Sequence, residues 1–389
     1  MNERAQLRRG ACPGLSAPMQ TGDGLLARLA PSGATISLDQ FDGLCVAARR
    51  HGNGIVEVTS RGSIQVRGLS AASAPLFAVD VAALAIEPSD GVPVLSDPLS
   101  DDHVFAAEIR AALAQLATKL SAKVSVVVDL DLDADISLRT DRDAVHVALA
   151  SSPLGAVPRG QAADAVRQLL AALSPGMRMR EALAQGGIAP FKTAIADIVS
   201  DVPPPVFRSA VDRVGTHRVS SGVALGIGLP FGHSDAATLL KLTGAARQAR
   251  ASGVRTAPGR ALLVMGLPDE AVAAVATAAT TLGFITDRED WRRRVIACAG
   301  APICASGEIP ARALAPTLAH AARHLRPQEI IHISGCIKGC AHPSPATVTV
   351  TGQAGRCDIA VDGTASGSVT AAVLPQRLAT LLRRRGGHS

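Results

Sequence analysis

Gly24-Leu25-Leu26-Ala27-Arg28-Leu29 and Gly222-Val223-Ala224-Leu225-Gly226-Ile227 are two apolar runs, each opened by a glycine and standing 198 residues apart. The same offset joins the pairs that close the two segments, Gly68-Leu69 and Gly266-Leu267. It also joins the helical core between them, where Leu44, Ala47, Ala48 and Arg49 match Leu242, Ala245, Ala246 and Arg247. Each copy reads as strand, helix, strand: an apolar run (24–30; 222–229), a stretch of 3.6-residue periodicity (38–51; 235–251) and an extended segment (54–68; 254–265). One copy cannot bury both faces of its strands, so the two predict a single pseudo-symmetric α+β layer.

A longer α/β stretch follows each copy. The first has a helix near 103–120, the strand Val124-Ser125-Val126-Val127-Val128, a strand near 135–138 and helices near 161–186. The second has helices at 268–283, 310–324 and 372–384, with strands near 293–297, 329–333, 346–350 and 357–361. Asp201-Val202-Pro203-Pro204-Pro205 is the clearest linker. The predicted order is therefore a first half-domain (1–70), a first α/β domain (71–205), a second half-domain (206–267) and a second α/β domain (268–389).

Composition narrows the function. The 389 residues are 47% hydrophobic and 19% charged, which supports several packed cores and excludes global disorder. Aromatics are only 2%, with one Trp and no Tyr, so a base-stacking platform lacks its material and no nucleic-acid partner is expected. The net charge of +6 suits anionic ligands without requiring nucleic acid. Arg383, Arg384 and Arg385 read as a solvated helix end. Ala271 to Ile285 is too short for a membrane span, and Met1 to Gly10 is not followed by an apolar signal core. The expected compartment is the cytoplasm, where cysteines stay reduced and serve as ligands or core residues.

Four of the seven cysteines form two pairs near the end of the chain: Cys298 with Cys304, and Cys336 with Cys340. A helix–strand unit separates the pairs, so they can meet at the C-terminal ends of neighbouring strands. Four thiolates suit a 4Fe-4S cluster, and Gly300, Gly335 and Gly339 let backbone amides approach it. Zinc is the competing ligand set, usually on tighter knuckles, and an unliganded core cluster is the bland alternative. Cys12, Cys45 and Cys357 have no matching partners and read as core or incidental.

Cys-x5-Cys followed by Ser334-Gly335-Cys336-x3-Cys340 resembles the cluster signature of the sirohaem-type sulfite and nitrite reductases. Val58-Thr59-Ser60-Arg61-Gly62-Ser63-Ile64-Gln65-Val66-Arg67-Gly68 is similar to that family's Thr-x-Arg-x-x-x-Gln stretch, which reaches the tetrapyrrole pocket. Cys336-Ile337-Lys338-Gly339-Cys340-Ala341-His342-Pro343, with Arg9-Gly10-Ala11-Cys12-Pro13-Gly14, resembles one branch in particular, the precorrin-3B synthases of aerobic cobalamin synthesis. The acidic residue of the reductase pattern after the last cysteine is replaced by Thr347, in keeping with that branch.

The resemblance implies duplicated ferredoxin-like half-domains plus two α/β domains of the sulfite/nitrite reductase type. It implies a monooxygenase that uses O2 to hydroxylate precorrin-3A at the meso carbon between rings D and A, with closure of a γ-lactone. A 4Fe-4S cluster on Cys298, Cys304, Cys336 and Cys340, a mononuclear non-haem iron and an unidentified electron donor belong to the same expectation. The alternatives are a sirohaem-dependent sulfite or nitrite reductase and a non-catalytic electron-transfer module.

A substrate rich in acetate and propionate groups calls for fixed guanidinium groups. Arg61 and Arg67, six residues apart on one extended segment, are expected on one face, with Gln65 beside them. Arg28, Arg260 and Lys338 complete the candidate substrate residues. His332 and His342 are candidate iron ligands, but no spacing of two histidines and a carboxylate is legible, so that metal is left unplaced.

Overall fold

The computed structural model describes residues 13–31, 33–86, 91–100, 103–114, 116, 120–202, 212–342 and 344–386. Arg9 to Cys12, linker residues Pro203 to Pro205, and Pro343 lie outside the described residues.

The first repeat comprises β1 (Met19–Thr21), β2 (Gly24–Leu29), α1 (Leu38–His51), β3 (Ile55–Val58), β4 (Ile64–Leu69) and α2 (Ser73–Ala83). Ser37 caps α1 with a capping box: its hydroxyl accepts from the Gln40 backbone while the Gln40 side chain accepts from its own. The segment expected as one extended strand, 54–68, is instead a hairpin. Thr59 and Gly62 close the turn, with Thr59 N–H donating to Ser63 O at 2.9 Å and Gly62 N–H to Thr59 O at 3.0 Å.

The first α/β unit comprises β5 (Val94–Ser96), α3 (Val104–Ala114), β6 (Val126–Val128), β7 (Ile136–Asp141), β8 (Ala144–Leu149), β9 (Ser152–Pro158), α4 (Ala162–Ala171), α5 (Met179–Gly186) and α6 (Ala189–Ala194). Its sheet runs β5-β6-β7-β8-β9, with β5, β6 and β7 mutually parallel and the last two antiparallel. Strands β8 and β9 were not expected from the sequence.

The second repeat comprises β10 (Gly215–Val219), β11 (Gly222–Gly228), β12 (His233–Asp235), α7 (Ala236–Gln248), β13 (Gly253–Ala257), β14 (Ala261–Leu267) and α8 (Val272–Thr281). Asp235 caps α7 at the position of Ser37, and the paired glycines Gly24 and Gly222 share φ values of 121° and 118°. Here too the extended segment folds back, as β13 and β14. Strand β12 crosses over and pairs with β3, and Ile36 bridges Val254, so the two sheets are stitched together.

Helices α1 and α7 pack side by side over a shared core. Phe41, Leu44, Val56 and Val66 from one copy meet Leu239, Leu242, Val254 and Val264 from the other, all of them buried. Truncating any one of the leucines to Ala would cost about 2–5 kcal/mol. The pseudo-symmetric layer is thus a single hydrophobic unit.

The last α/β unit comprises β15 (Val295–Ala297), α9 (Ala311–Ala322), β16 (Ile331–Ser334), β17 (Val348–Gln353), β18 (Arg356–Val361), β19 (Thr364–Val369) and α10 (Leu374–Gly386). Its sheet repeats the first unit's pattern: β15, β16 and β17 are parallel, then β18 and β19 turn back. Ile331, Ile333, Val348 and Val350 face α9 and α10 in the core. Alternation therefore turns His332 and Ser334 to the opposite face of the sheet.

Candidate functional site

Cys298 follows β15 directly and Cys336 follows β16 with one glycine between, at the C-terminal ends of two adjacent parallel strands. The loops that leave these ends bring in Cys304 and Cys340. The thiols stand near one another, and Cys304 and Cys336 both press electrostatically on Cys298 and on Cys340.

Backbone geometry prepares the site. Gly335 N–H donates to Cys298 Sγ at 3.0 Å, Cys304 N–H to Gly300 O at 2.7 Å and Gly307 N–H to Cys304 O at 2.8 Å. A side chain at Gly335 would meet Gly300 Cα at 2.8 Å and Cys298 Sγ at 3.3 Å, so the close approach of the two loops needs glycine there. Lys338 Nζ donates to Ser306 Oγ at 2.8 Å and so ties one cysteine loop to the other.

Burial raises the Cys298 thiol above its usual range, against the pull of amide donors from Gly335 and Gly300. Burial, then the neighbouring sulfurs, raise Cys340, while Lys338 draws it down. Four sulfurs brought in by two glycine-hinged loops, with backbone amides approaching them, fit a cubane cluster, one thiolate to each iron. Among the described residues no group of three or more His, Cys, Asp or Glu side chains is arranged to hold a single metal ion. No ligand set for the mononuclear iron is assigned, and no step below is routed through it. Cys45 and Cys357 are buried in the cores, and burial followed by Asp42 pushes Cys45 to about 12.

The candidate substrate residues do not share one surface. Arg61 is not on a strand face with Arg67, as expected, but in the β3–β4 turn. It donates to Ser125 Oγ at 3.1 Å and to the Asp133 carbonyl, which binds the first half-domain to the first α/β unit. Arg67 lies on β4, 7% exposed, and donates to Glu57 at 2.8 Å and Asp23 at 3.0 Å.

Glu57 is the hub that the sequence did not reveal. It also accepts from Arg312 of α9. Gln65 donates to Glu57 Oε2 at 2.9 Å and accepts from Arg28 Nε at 2.9 Å and Nη2 at 2.6 Å. Strand register puts Arg28, Gln65, Glu57 and His233 in one row across the sheet. The β1–β2 turn beside this face docks on the loop that carries Cys298 and Cys304, where Gly22 N–H donates to Ile303 O at 2.9 Å. In the second half-sheet the matching positions of Gln65 and Arg67 are Leu263 and Met265, within an apolar patch completed by Ala224, Ala257 and Ala261. Only alternation along β3 could have flagged Glu57 in advance.

Arg260 stands in the β13–β14 turn and reaches the loop that carries Cys336 and Cys340, donating to Ala341 O at 3.3 Å. His332 packs edge-on against His342 with ring centroids 5.7 Å apart. Burial, then His342 and Arg260, push His332 down to about 4.

Residues 17–80 match the nitrite/sulfite reductase ferredoxin-like half domain. The fold is that of the Mycobacterium tuberculosis NirA protein, with a TM-score of 0.75 at 17% identity over 94% of this chain and 81% of that one. Sulfite reductase [ferredoxin] 2 of Mycolicibacterium paratuberculosis is 30% identical over 39% of this chain and 29% of its own length. Duplicated half-domains, paired α/β units and converging cysteines thus define a nitrite/sulfite reductase-like protein. Precorrin-3B synthase of Sinorhizobium sp is 33% identical over 98% of this chain and 89% of its own length. The chain belongs to the precorrin-3B synthase family.

Proposed function

We propose that this protein is an oxygen-dependent oxidoreductase that converts precorrin-3A to precorrin-3B, hydroxylating the meso carbon between rings D and A while a ring A acetate closes a γ-lactone. The observation that carries this reading is the near full-length similarity to a precorrin-3B synthase, against partial matches to sulfite reductases. One oxygen atom enters the macrocycle and the other leaves as water, so two electrons and two protons come from an external reductant. A 4Fe-4S cluster on Cys298, Cys304, Cys336 and Cys340 would supply those electrons one at a time, as ground-state dioxygen requires.

The protein's own groups bind and orient. Arg28, held by Gln65, presents a guanidinium on the polar face of the first half-sheet, beside the loop that carries Cys304. Arg67 and Arg61 act one step back: Arg67 fixes Glu57, and Arg61 anchors the turn from which β4 starts. Arg61→Ala is accordingly expected to weaken tetrapyrrole binding and spare the cluster. Lys338 holds the two cysteine loops together through Ser306.

Anaerobic purification with iron and sulfide quantitation, acid–acetone extraction, and an assay of precorrin-3A under 18O2 test the proposal. A cluster without extractable haem and one labelled oxygen in the product are expected. Extractable sirohaem with reduction of sulfite or nitrite would replace it with the reductase alternative.

A further inference from the structure

The β3–β4 and β13–β14 turns meet, joined by Gly259 N–H donating to Ser60 O at 2.9 Å, and occupy matching positions of the repeat with different chemistry. The 198-residue offset places Arg260 over Gly62, and both take the left-handed conformation, at φ 63° and 84°. Glycine accepts that conformation freely, and arginine holds it at the cost of strain. The arginine stem lies against Gly232, where a Cβ would come within 2.6 Å of Arg260 Cδ.

Arg260 is half-buried, and it forms no ion pair with any carboxylate among the described residues. Its hydrogen bond goes to a neutral carbonyl, Ala341 O. Among the other guanidinium groups singled out above, Arg67 has Glu57 and Asp23 as counterions, while Arg28 and Arg61 are held by neutral groups, Arg28 by Gln65 and Arg61 by Ser125 Oγ and the Asp133 carbonyl; Arg260 has a single neutral acceptor. On the same side stands His332, only 3% exposed, with an Nε2 that finds no hydrogen-bond partner among the described residues. A buried polar atom without a partner is costly, and a half-buried charge without a counterion is less favourable than a paired one. Both stand beside a strained backbone on the same side of the Cys336–Cys340 loop.

We infer that Arg260 and His332, with His342 at the rim, form a carboxylate subsite beside the Cys336–Cys340 loop. It takes one acetate or propionate group of the tetrapyrrole and so sets which edge of the macrocycle lies toward that loop. This deepens the proposed function and rests on it for the identity of the ligand. A carboxylate would give Arg260 its missing counterion and accept from His332 Nε2, in a site where charge-assisted bonds are strong.

The test is anaerobic titration of the iron-loaded protein with precorrin-3A, and in parallel with sirohaem as a second polycarboxylate tetrapyrrole. Arg260→Asn removes the charge with a residue that tolerates the left-handed region. Its affinity for precorrin-3A is expected to fall about tenfold or more, with iron and sulfide content unchanged and the melting temperature no lower. His332→Gln is expected to fall about threefold, and reads the subsite if the arginine variant does not fold. Undiminished affinity in whichever variant folds overturns the subsite while leaving the proposed function standing. Wild-type protein that binds sirohaem alone, with weakening in the variants, keeps the subsite and overturns the proposed function. Wild-type protein that binds neither overturns both.

Discussion

In the last α/β unit the loops after β15 and β16 carry Cys298, Cys304, Cys336 and Cys340. In the first unit the paired registers Val94–Val126–Ile136 take the place of Val295–Ile331–Val348. Counting on from them, the corresponding positions hold Asp97, His103, Asp131 and Asp135. The acids there are matched by arginines: Asp97 pairs with Arg213, Asp135 with Arg178 at 2.8 Å, and Asp131 with Arg139 at 3.9 Å. One topology thus gathers anionic groups at its strand ends twice. In the first unit guanidinium groups neutralise them, so that corner is a structural joint. In the last unit no arginine among the described residues is paired with the thiols, in keeping with the iron–sulfur cluster proposed for them.

The sharpest way to break this comparison is Cys336→Ser set against Asp131→Ala. Iron and sulfide analysis should show the cluster and all turnover lost in the first and both retained in the second. Iron kept in Cys336→Ser would remove that residue from the ligand set.

The salt-bridged corner should respond in stability instead. Arg178→Met strands Asp135, whose side chain is 1% exposed, and leaves it with the backbone donors of Ser125 and Met179. An unpaired buried carboxylate should lower unfolding free energy by about 3–5 kcal/mol, read from urea denaturation, with iron content unaffected. A loss below about 1 kcal/mol would mean the joint is solvated rather than buried.

A third measurement separates ligand thiols from core thiols. After iron removal by a chelator, iodoacetamide should modify Cys340, which is exposed, and spare Cys45, which is fully buried with its thiol held near 12. Mass spectrometry of the labelled peptides reads the difference.

The smallest effect concerns how the last unit is tied together. Glu329, just before β16, is raised by burial, but bonds from Arg326 and Arg385 outweigh that and hold it at about 2 instead of 4.5. A folded value below the unfolded one adds stability above about pH 4.5 that is lost as the pH falls toward 2. Glu329→Gln should therefore lower the urea midpoint at pH 7, and the deficit should shrink through that window.

Much of this was legible beforehand, and the omissions have a common cause. The repeat placed α1 and α7 closely, because helical periodicity and caps are local. The hairpins at 59–63 and 257–261 were missed because a run of β-formers reads alike whether it continues or folds back. Strands β8, β9 and β19 were missed as partners of strands whose pairing the sequence does not display. Arg61 and Arg67 were expected on one face, yet a turn at Gly62 separates them.

The sequence by itself determined the duplication, the class of fold and the four thiols, since each depends on residue spacing within a single element or its adjoining loop. Only the tertiary structure decided which cations are spoken for. Arg67 is neutralised by Asp23 and Glu57, Glu57 also takes Arg312 from far along the chain, and Arg61 is held by the Asp133 carbonyl. Arg260 has no acid partner among the described residues and donates to Ala341 O on the Cys336–Cys340 loop. Charge compensation is set by distance in space, and partners separated by up to 255 positions leave no periodic trace along the chain.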